Sequence, residues 1–255
     1  MDKVIFDKQN IAKKLCMFEG NNFFVLADFS KTFSSFSGPS TWSAVSKSGA
    51  MPAGYVEERQ QLFDKYHPYE IDETLSLQEK NALLSEWWQK HMELFVKHGL
   101  TESVLESCID QGMVTLRPGL KEFLADMKKR NVPVIILSSG IGRLVEKALE
   151  IGECNFDNIK IIANNVKFEN AVATKIETPF VHTYNKQDIE LPKLHTPSNM
   201  LLLGDKANDI IKPEFVKNAI NIGFLEDEAK LEDYKKDFDV VCLGDFIDLM
   251  KAIKL

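Results

Sequence analysis

The sequence predicts an α/β protein: a Rossmann-like, doubly wound parallel sheet with a helical cap domain inserted after the first strand. Three observations lead there. Six short apolar runs are continuous instead of alternating, segments of helical period lie between most of them, and one interruption of about 80 residues is far longer than an ordinary loop. The first run, Phe23 to Ala27 (FFVLA), reads as a strand buried on both faces. After it the alternation stops. Residues 34–114 hold VEERQQLFDKY and SLQEKNALLSEWWQKHMELFVKHG, and in the second of these Leu83, Leu84, Trp87, Trp88, His91, Leu94 and Phe95 recur at helical spacing. The Ser/Gly/Pro-rich stretch 34–54 predicts a hinge between cap and core. The chain thus divides into a core of residues 1–33 and 115–255 and a cap of 34–114.

Alternation resumes after the cap. Arg117 to Arg130 puts Leu120, Phe123, Leu124 and Met127 on one helical face, with Pro118 where a first turn tolerates it. Val132 to Leu137 is the second strand, IGRLVEKALEIG the helix behind it, and Lys160 to Ala163 the third strand. VKFENAVATKIETPFVHTYNKQD alternates around Glu169-Asn170 and predicts a hairpin ahead of a polar loop. Met200 to Leu203 is the fourth strand and NDIIKPEFVKNA its helix. Ala219 to Phe224 and Asp239 to Leu243 complete the sheet, with the acidic run EDEAKLEDYKKD between them as a solvated helical face.

With 31 Lys and Arg against 38 Asp and Glu, the net charge is −7. That excludes a chain built around a basic nucleic-acid surface. Four cysteines, Cys16, Cys108, Cys154 and Cys242, lie far apart with no CxxC spacing. This argues against zinc or a disulfide framework and fits a reducing, cytoplasmic setting. No run of 18 apolar residues and no signal-like start occur, so no membrane association is expected. A monomer or weak dimer acting on a small molecule is the expected state.

Ligands of such sheets bind beyond the carboxyl ends of the strands. The residues there are Asp28, Phe29, Ser30, Lys31 and Thr32 after the first strand, Ser138, Ser139 and Gly140 after the second, and Gly204 to Asp209 after the fourth, with Lys186 in the loop before it. Two carboxylates on strand tips, hydroxyls at a Gly-flanked helix start and one lysine form the set that metal-assisted phosphoryl transfer needs. A carboxylate attacks phosphorus only if the repulsion between two anions is neutralised, and oxygen-only ligation suits Mg²⁺. A helix beginning at Ser139-Gly140 would add a positive dipole end for phosphate. Each residue also has a plainer reading. Asp205, Ser138 and Ser139 could simply cap helices, Lys186 could be a solvated loop lysine, and His91 beside aromatics could be a packing residue.

The motifs Asp28-Phe29-Ser30-Lys31-Thr32, Ser138, Lys186 and GDKAND (Gly204 to Asp209), in that order, resemble those of the haloacid dehalogenase superfamily of phosphotransferases. LFDKYHPYEIDETLSLQEK, EWWQKH, SSGIG, NKQD and LLLGD are similar, in the same order, to the cytosolic 5′-nucleotidase III (pyrimidine 5′-nucleotidase) family, from about Phe23 to Val241. The resemblance implies a Mg²⁺-dependent hydrolase of nucleoside monophosphates. Asp28 would be the nucleophile and a metal ligand, Asp205 a second metal ligand, Asp209 the residue orienting the metal's waters, Ser138 with its neighbour Ser139 the phosphate contact, and Lys186 the charge balance. Glu70 would contact the base, Trp88 would stack on it, and His91 occupies a base-contacting position that is Ser in the pyrimidine enzymes.

One departure stands out. The family pattern after the nucleophile is Asp-Phe-Asp, whose second Asp protonates the leaving oxygen and later activates water; here that position is Ser30. The Ser30 carbonyl can still serve the metal, but loss of general acid/base help typically costs ~10²- to 10⁴-fold. The resemblance therefore leaves three outcomes: a weakened 5′-nucleotidase, a silent or slow nucleotide- or phosphate-binding protein, or a phosphotransferase.

Overall fold

The computed structural model describes residues 3–192 and 198–253. In chain order the elements are β1 (Val4–Phe6), α1 (Lys8–Leu15), β2 (Phe23–Ala27), α2 (Thr41–Lys47), α3 (Ala53–Ile71), α4 (Leu77–Lys97), α5 (Glu102–Asp110), α6 (Leu120–Lys129), β3 (Val134–Ile141), α7 (Gly142–Ile151), β4 (Ile159–Asn164), β5 (Val166–Glu169), β6 (Val172–Ile176), β7 (Asn199–Gly204), β8 (Asn218–Phe224), α8 (Leu231–Asp237), β9 (Val240–Cys242) and α9 (Phe246–Ile253). Seven strands form one sheet in the order β1-β9-β8-β7-β2-β3-β4. Every neighbouring pair is parallel except β1 with β9.

The continuous apolar runs are continuous because both sheet faces are covered. Val25, Ala27, Val134 and Ile136 join a cluster that runs through Phe123, Leu144 and Leu249 and on into Trp42, Tyr55, Phe95 and Leu105 of the inserted helices. Phe24, Leu26, Ile135 and Leu202 face the other way, against Val181, Leu191, Ile211 and Phe238. Register sets the site: Ala27 lies opposite Leu203 and Ile136, so the chain leaves β2, β7 and β3 at neighbouring tips.

Several expectations are corrected. Edge strand β1, three residues long, is too short to show a pattern, and helix α1, eight residues with only Ile11 buried, carries no apolar stripe. Stretch 34–54 is no simple hinge, since Ser40 caps α2, where Thr41, Trp42, Ala44 and Val45 are buried. The second strand does not end at Leu137; β3 runs through Ser138, Ser139 and Gly140, and α7 starts at Gly142. Pro118 precedes α6 instead of sitting in its first turn. Gly119 stands there at φ +78°, where an added Cβ would lie 2.6 Å from Ile247. After β7 no long helix forms. Asp209 Oδ2 accepts the Asp205 and Lys206 N–H groups at 3.1 Å each, which closes a single turn over Ala207–Asp209, and Pro213 has no N–H for a helix to use. The β5–β6 hairpin turns at Asn170 and Ala171, both at positive φ, one residue later than the sequence suggests.

Candidate active site

Asp28 leaves β2 with its N–H donated to the Leu203 carbonyl at 2.9 Å, which ties it to β7. The following turn is tight. Ser30 is extended and Lys31 sits at φ +61°, with its N–H donated to Ser34 Oγ at 2.9 Å. Arg117 anchors the turn from beneath, donating to the carbonyls of Thr32 (2.8 Å) and Lys31. On β7, Gly204 lets the chain pass Asp209, because a Cβ there would lie 2.7 Å from the Asp209 Cβ.

Lys186 is the centre of the charge arrangement. Its Nζ donates to Asp28 Oδ1 and Asp209 Oδ1, both at 2.6 Å, and all three side chains are nearly inaccessible. Burial works to lower the pKa of this ammonium, but the two carboxylates outweigh it and hold it above its ordinary value. Lys186 is therefore a permanent cation locked between two acids, not a solvated loop lysine. Burial pushes the Asp28 carboxyl up to about 6, with Lys186 opposing and Asp209 adding to the rise. Burial and the negative charges of Asp28 and Asp209 push Asp205 up to about 8.

Two carboxylates thus share one cation, and a third, Asp205, lies beside them without a bond to it. Asp28, Asp205 and Asp209 each offer an oxygen within 4.8 Å of the others. Asp28 Oδ2 is buried with no hydrogen-bond partner among the described residues, an orphaned acceptor that costs free energy unless something meets it. An all-oxygen, carboxylate-rich donor set with one unsatisfied oxygen fits a hard divalent cation such as Mg²⁺. Asp209, with both oxygens already engaged, is better placed to orient than to bind directly.

A cavity of about 260 Å³ opens above this cluster. Its walls bring together nearly every residue singled out from sequence: Asp28, Ser30, Glu70, Trp88, His91, Ser139, Lys186, Asp205 and Asp209. Ser138 is the exception. It is fully buried, its Oγ accepts the Gly140 N–H at 3.0 Å, and it does not line the cavity, whereas Ser139 and Gly140 do. Trp88 and Trp42 both donate their indole N–H to the Ser139 carbonyl, at 3.1 and 2.8 Å, and Asn164 adds a third donor at 2.9 Å. Two inserted helices are thereby fastened to one strand tip. His91 is buried against Tyr55, whose hydroxyl lies 3.1 Å from its Nε2. Burial, with the nearby Arg59 charge, holds its pKa down at about 3, so it meets a ligand as a neutral ring.

Trp42, Trp87, Arg59, Phe63 and Thr183 also line the cavity but were not read as site residues. Trp42 hides in a serine-rich stretch, and Arg59 and Phe63 sit on a helix of mixed polarity. The one signal the sequence holds for the α3 pair is their i, i+4 spacing, which puts Arg59 and Phe63 on one helical face.

A family model described as pyrimidine 5′-nucleotidase (UMPH-1) matches residues 27–253. A 7-methylguanosine phosphate-specific 5′-nucleotidase A of Xenopus laevis is 31% identical over 247 residues, covering 90% of this chain and 85% of that protein. The Homo sapiens 7-methylguanosine phosphate-specific 5′-nucleotidase is 28% identical over 239 residues, covering 87% and 80%. Among solved structures, cytosolic 5′-nucleotidase IIIB bound to cytidine superposes with a TM-score of 0.83 at 22% identity, covering 100% of this chain and 94% of the other. A phospho-aspartyl intermediate analogue of phosphoserine phosphatase superposes at 0.53 with 19% identity, covering 89% and 96%.

Proposed function

Because the chain belongs to the pyrimidine 5′-nucleotidase (UMPH-1) family, we propose that it hydrolyses nucleoside 5′-monophosphates with Mg²⁺ through an aspartyl-phosphate on Asp28, at a rate limited by Ser30. The observation that carries this is Lys186, bonded at 2.6 Å to both Asp28 and Asp209 at the floor of a cavity whose far wall is aromatic. Such a floor, with a divalent cation offsetting its carboxylates, takes a phosphate, and such a wall takes a base.

Asp28, Asp205 and the Ser30 carbonyl would hold Mg²⁺, with Asp209 orienting its waters. When bound, the ion supplies the charge neutralisation that lets a carboxylate and a phosphate approach. A carboxylate oxygen of Asp28 bonds to phosphorus as the bond from phosphorus to the nucleoside 5′ oxygen breaks. Lys186 keeps Asp28 in place and offsets negative charge as it shifts from carboxylate to phosphoryl group. Water then attacks phosphorus, releasing phosphate and restoring Asp28. Both steps need a proton carrier, and a serine hydroxyl at position 30, with a pKa far above neutral, is a poor one. His91 does not replace it, being held neutral by burial.

Residues 34–114 act as the cap that excludes bulk water, and the base lies along Trp88 with Glu70 accepting from its edge. The Xenopus laevis and Homo sapiens relatives are named for 7-methylguanosine phosphate and cytosolic 5′-nucleotidase IIIB is bound to cytidine, so both bases are candidates here. Phosphate release from a panel of mononucleotides with Mg²⁺ is the test. Release above an Asp28→Asn control is expected, and its absence removes the proposal. Ser30 favours a second reading, transfer of the phosphoryl group to an acceptor nucleoside from a long-lived phosphoenzyme. A new nucleotide formed on adding nucleosides would identify it.

A further inference from the structure

Two charges of opposite sign face the cap end of the cavity, Arg59 on α3 and Glu70 in the last turn of the same helix. Among the described residues neither side chain makes an ion pair; beside Glu70, Lys80 Nζ donates to its backbone carbonyl at 3.1 Å and not to its carboxylate. The Arg59 guanidinium lies over the Phe63 ring, 5.3 Å from its centroid, and among the described residues it has no carboxylate partner. The nearest acid along the chain that could serve, Glu58, is taken by Lys97 at 2.7 Å and His98 at 3.3 Å. Among the described residues the Glu70 carboxylate accepts only a long bond from Thr183 Oγ1, at 3.4 Å, while its backbone carbonyl accepts the Tyr184 hydroxyl at 2.9 Å.

We propose that Arg59 is a specificity-determining residue that, with Glu70, selects a neutral nucleobase carrying both an acceptor and a donor on its edge, and rejects a base that is itself cationic. The inference deepens, and rests on, the nucleotidase reading. A neutral cytosine or guanine ring offers carbonyl oxygens to a guanidinium and amino hydrogens to a carboxylate. A 7-methylguanine ring has the same edge donors but carries a positive charge, so it gains at Glu70 and loses at Arg59. Specificity of this kind comes from the repulsive element as much as from the attractive one. Phe63, which fixes the guanidinium at the aromatic wall, keeps that repulsion aimed into the site.

The three tryptophans of the chain, Trp42, Trp87 and Trp88, all line this cavity, so quenching of intrinsic fluorescence reports binding without turnover. The protein is titrated at mildly acidic pH with 7-methylguanosine, with its neutral isostere 7-methyl-7-deazaguanosine, and with cytidine. The two methylated ligands have the same shape, so their affinity ratio isolates charge. The wild type is expected to favour the neutral isostere by about tenfold. Arg59→Gln removes or inverts that preference, Arg59→Lys keeps it, and Glu70→Gln widens it. A ratio that Arg59→Gln leaves within about twofold of wild type, or a wild type that prefers the cation, overturns the inference and leaves the nucleotidase reading standing. If none of the three nucleosides quenches while mononucleotides still release phosphate, this inference falls and the nucleotidase reading stands; if neither quenching nor phosphate release occurs, both fall.

Discussion

In the proposed chemistry, Ser30 and Lys186 are the two deciding residues. Ser30 stands on the wall of the cavity, next but one to Asp28, where a carboxylate would reach a leaving oxygen. Replacing it by aspartate should raise phosphate release by ~10²- to 10⁴-fold, the usual worth of a positioned general acid and base. A Ser30→Asp variant no faster than wild type would show that something other than proton transfer limits turnover. Lys186 has the opposite character, since it holds the site together as well as serving it. Lys186→Met would leave Asp28 and Asp209 buried without their shared cation, at a cost of about 3 kcal/mol. A melting temperature unchanged from wild type in metal-free buffer would contradict this ion-pair account. Asp28 was legible as a strand-tip acid, but the two hydrogen bonds of Lys186 were not, because residues 158 positions apart, as Lys186 and Asp28 are, leave no trace of their contact in local pattern.

Among the elements, β3 and α2 show how the insert is joined to the sheet. Thr41, buried at the start of α2, accepts the Ile141 N–H through Oγ1 at 3.0 Å, next to the indole of Trp42 on Ser139. Thr41→Val keeps the shape and orphans that N–H, so a loss of about 1–3 kcal/mol is expected in denaturant unfolding. A loss below a few tenths would mean that packing and the Trp42 bond to Ser139 hold α2 without it. The same elements mark the limit of sequence reading. Strands β2, β3, β4, β7, β8 and β9 are apolar runs and could be read directly, as could α4, where Ser76 and Glu79 form a capping box ahead of an apolar stripe. Helix α2 could not, because its serine-rich surface looks like a linker and only the tertiary contacts of Trp42 make it a helix with a buried face. The span after β7 failed the other way. Its apolar spacing suggests a helix, but Asp209 spends its side chain on the turn at the site, and local pattern carries no record of that demand.

At the scale of the whole molecule, the net charge of −7 gathers most consequentially where Asp28, Asp205 and Asp209 meet. No helix among the described residues is long and apolar enough to cross a membrane. With the folded pKa of Asp205 near 8 against an ordinary 3.8, the folded chain binds a proton that the unfolded chain releases. The stability this carboxyl contributes is complete below about pH 4 and is lost as pH rises through 8. His91 and His182 act in the other direction. Burial holds them near 3 and 4, so the stability they contribute is present above about 6.5 and is lost as pH falls. Mg²⁺ should therefore raise the melting temperature more at pH 8 than at pH 6, because at pH 6 it must first displace a proton. An equal shift at both values, or none, would remove the carboxylates as the metal site. The most direct test of the central claim is to mix the protein with Mg²⁺ and a nucleoside monophosphate labelled in its phosphate, quench in acid, and locate the label. The expected result is label bound to Asp28, released by hydroxylamine and absent from Asp28→Asn; phosphate release by Asp28→Asn at the wild-type rate would contradict it.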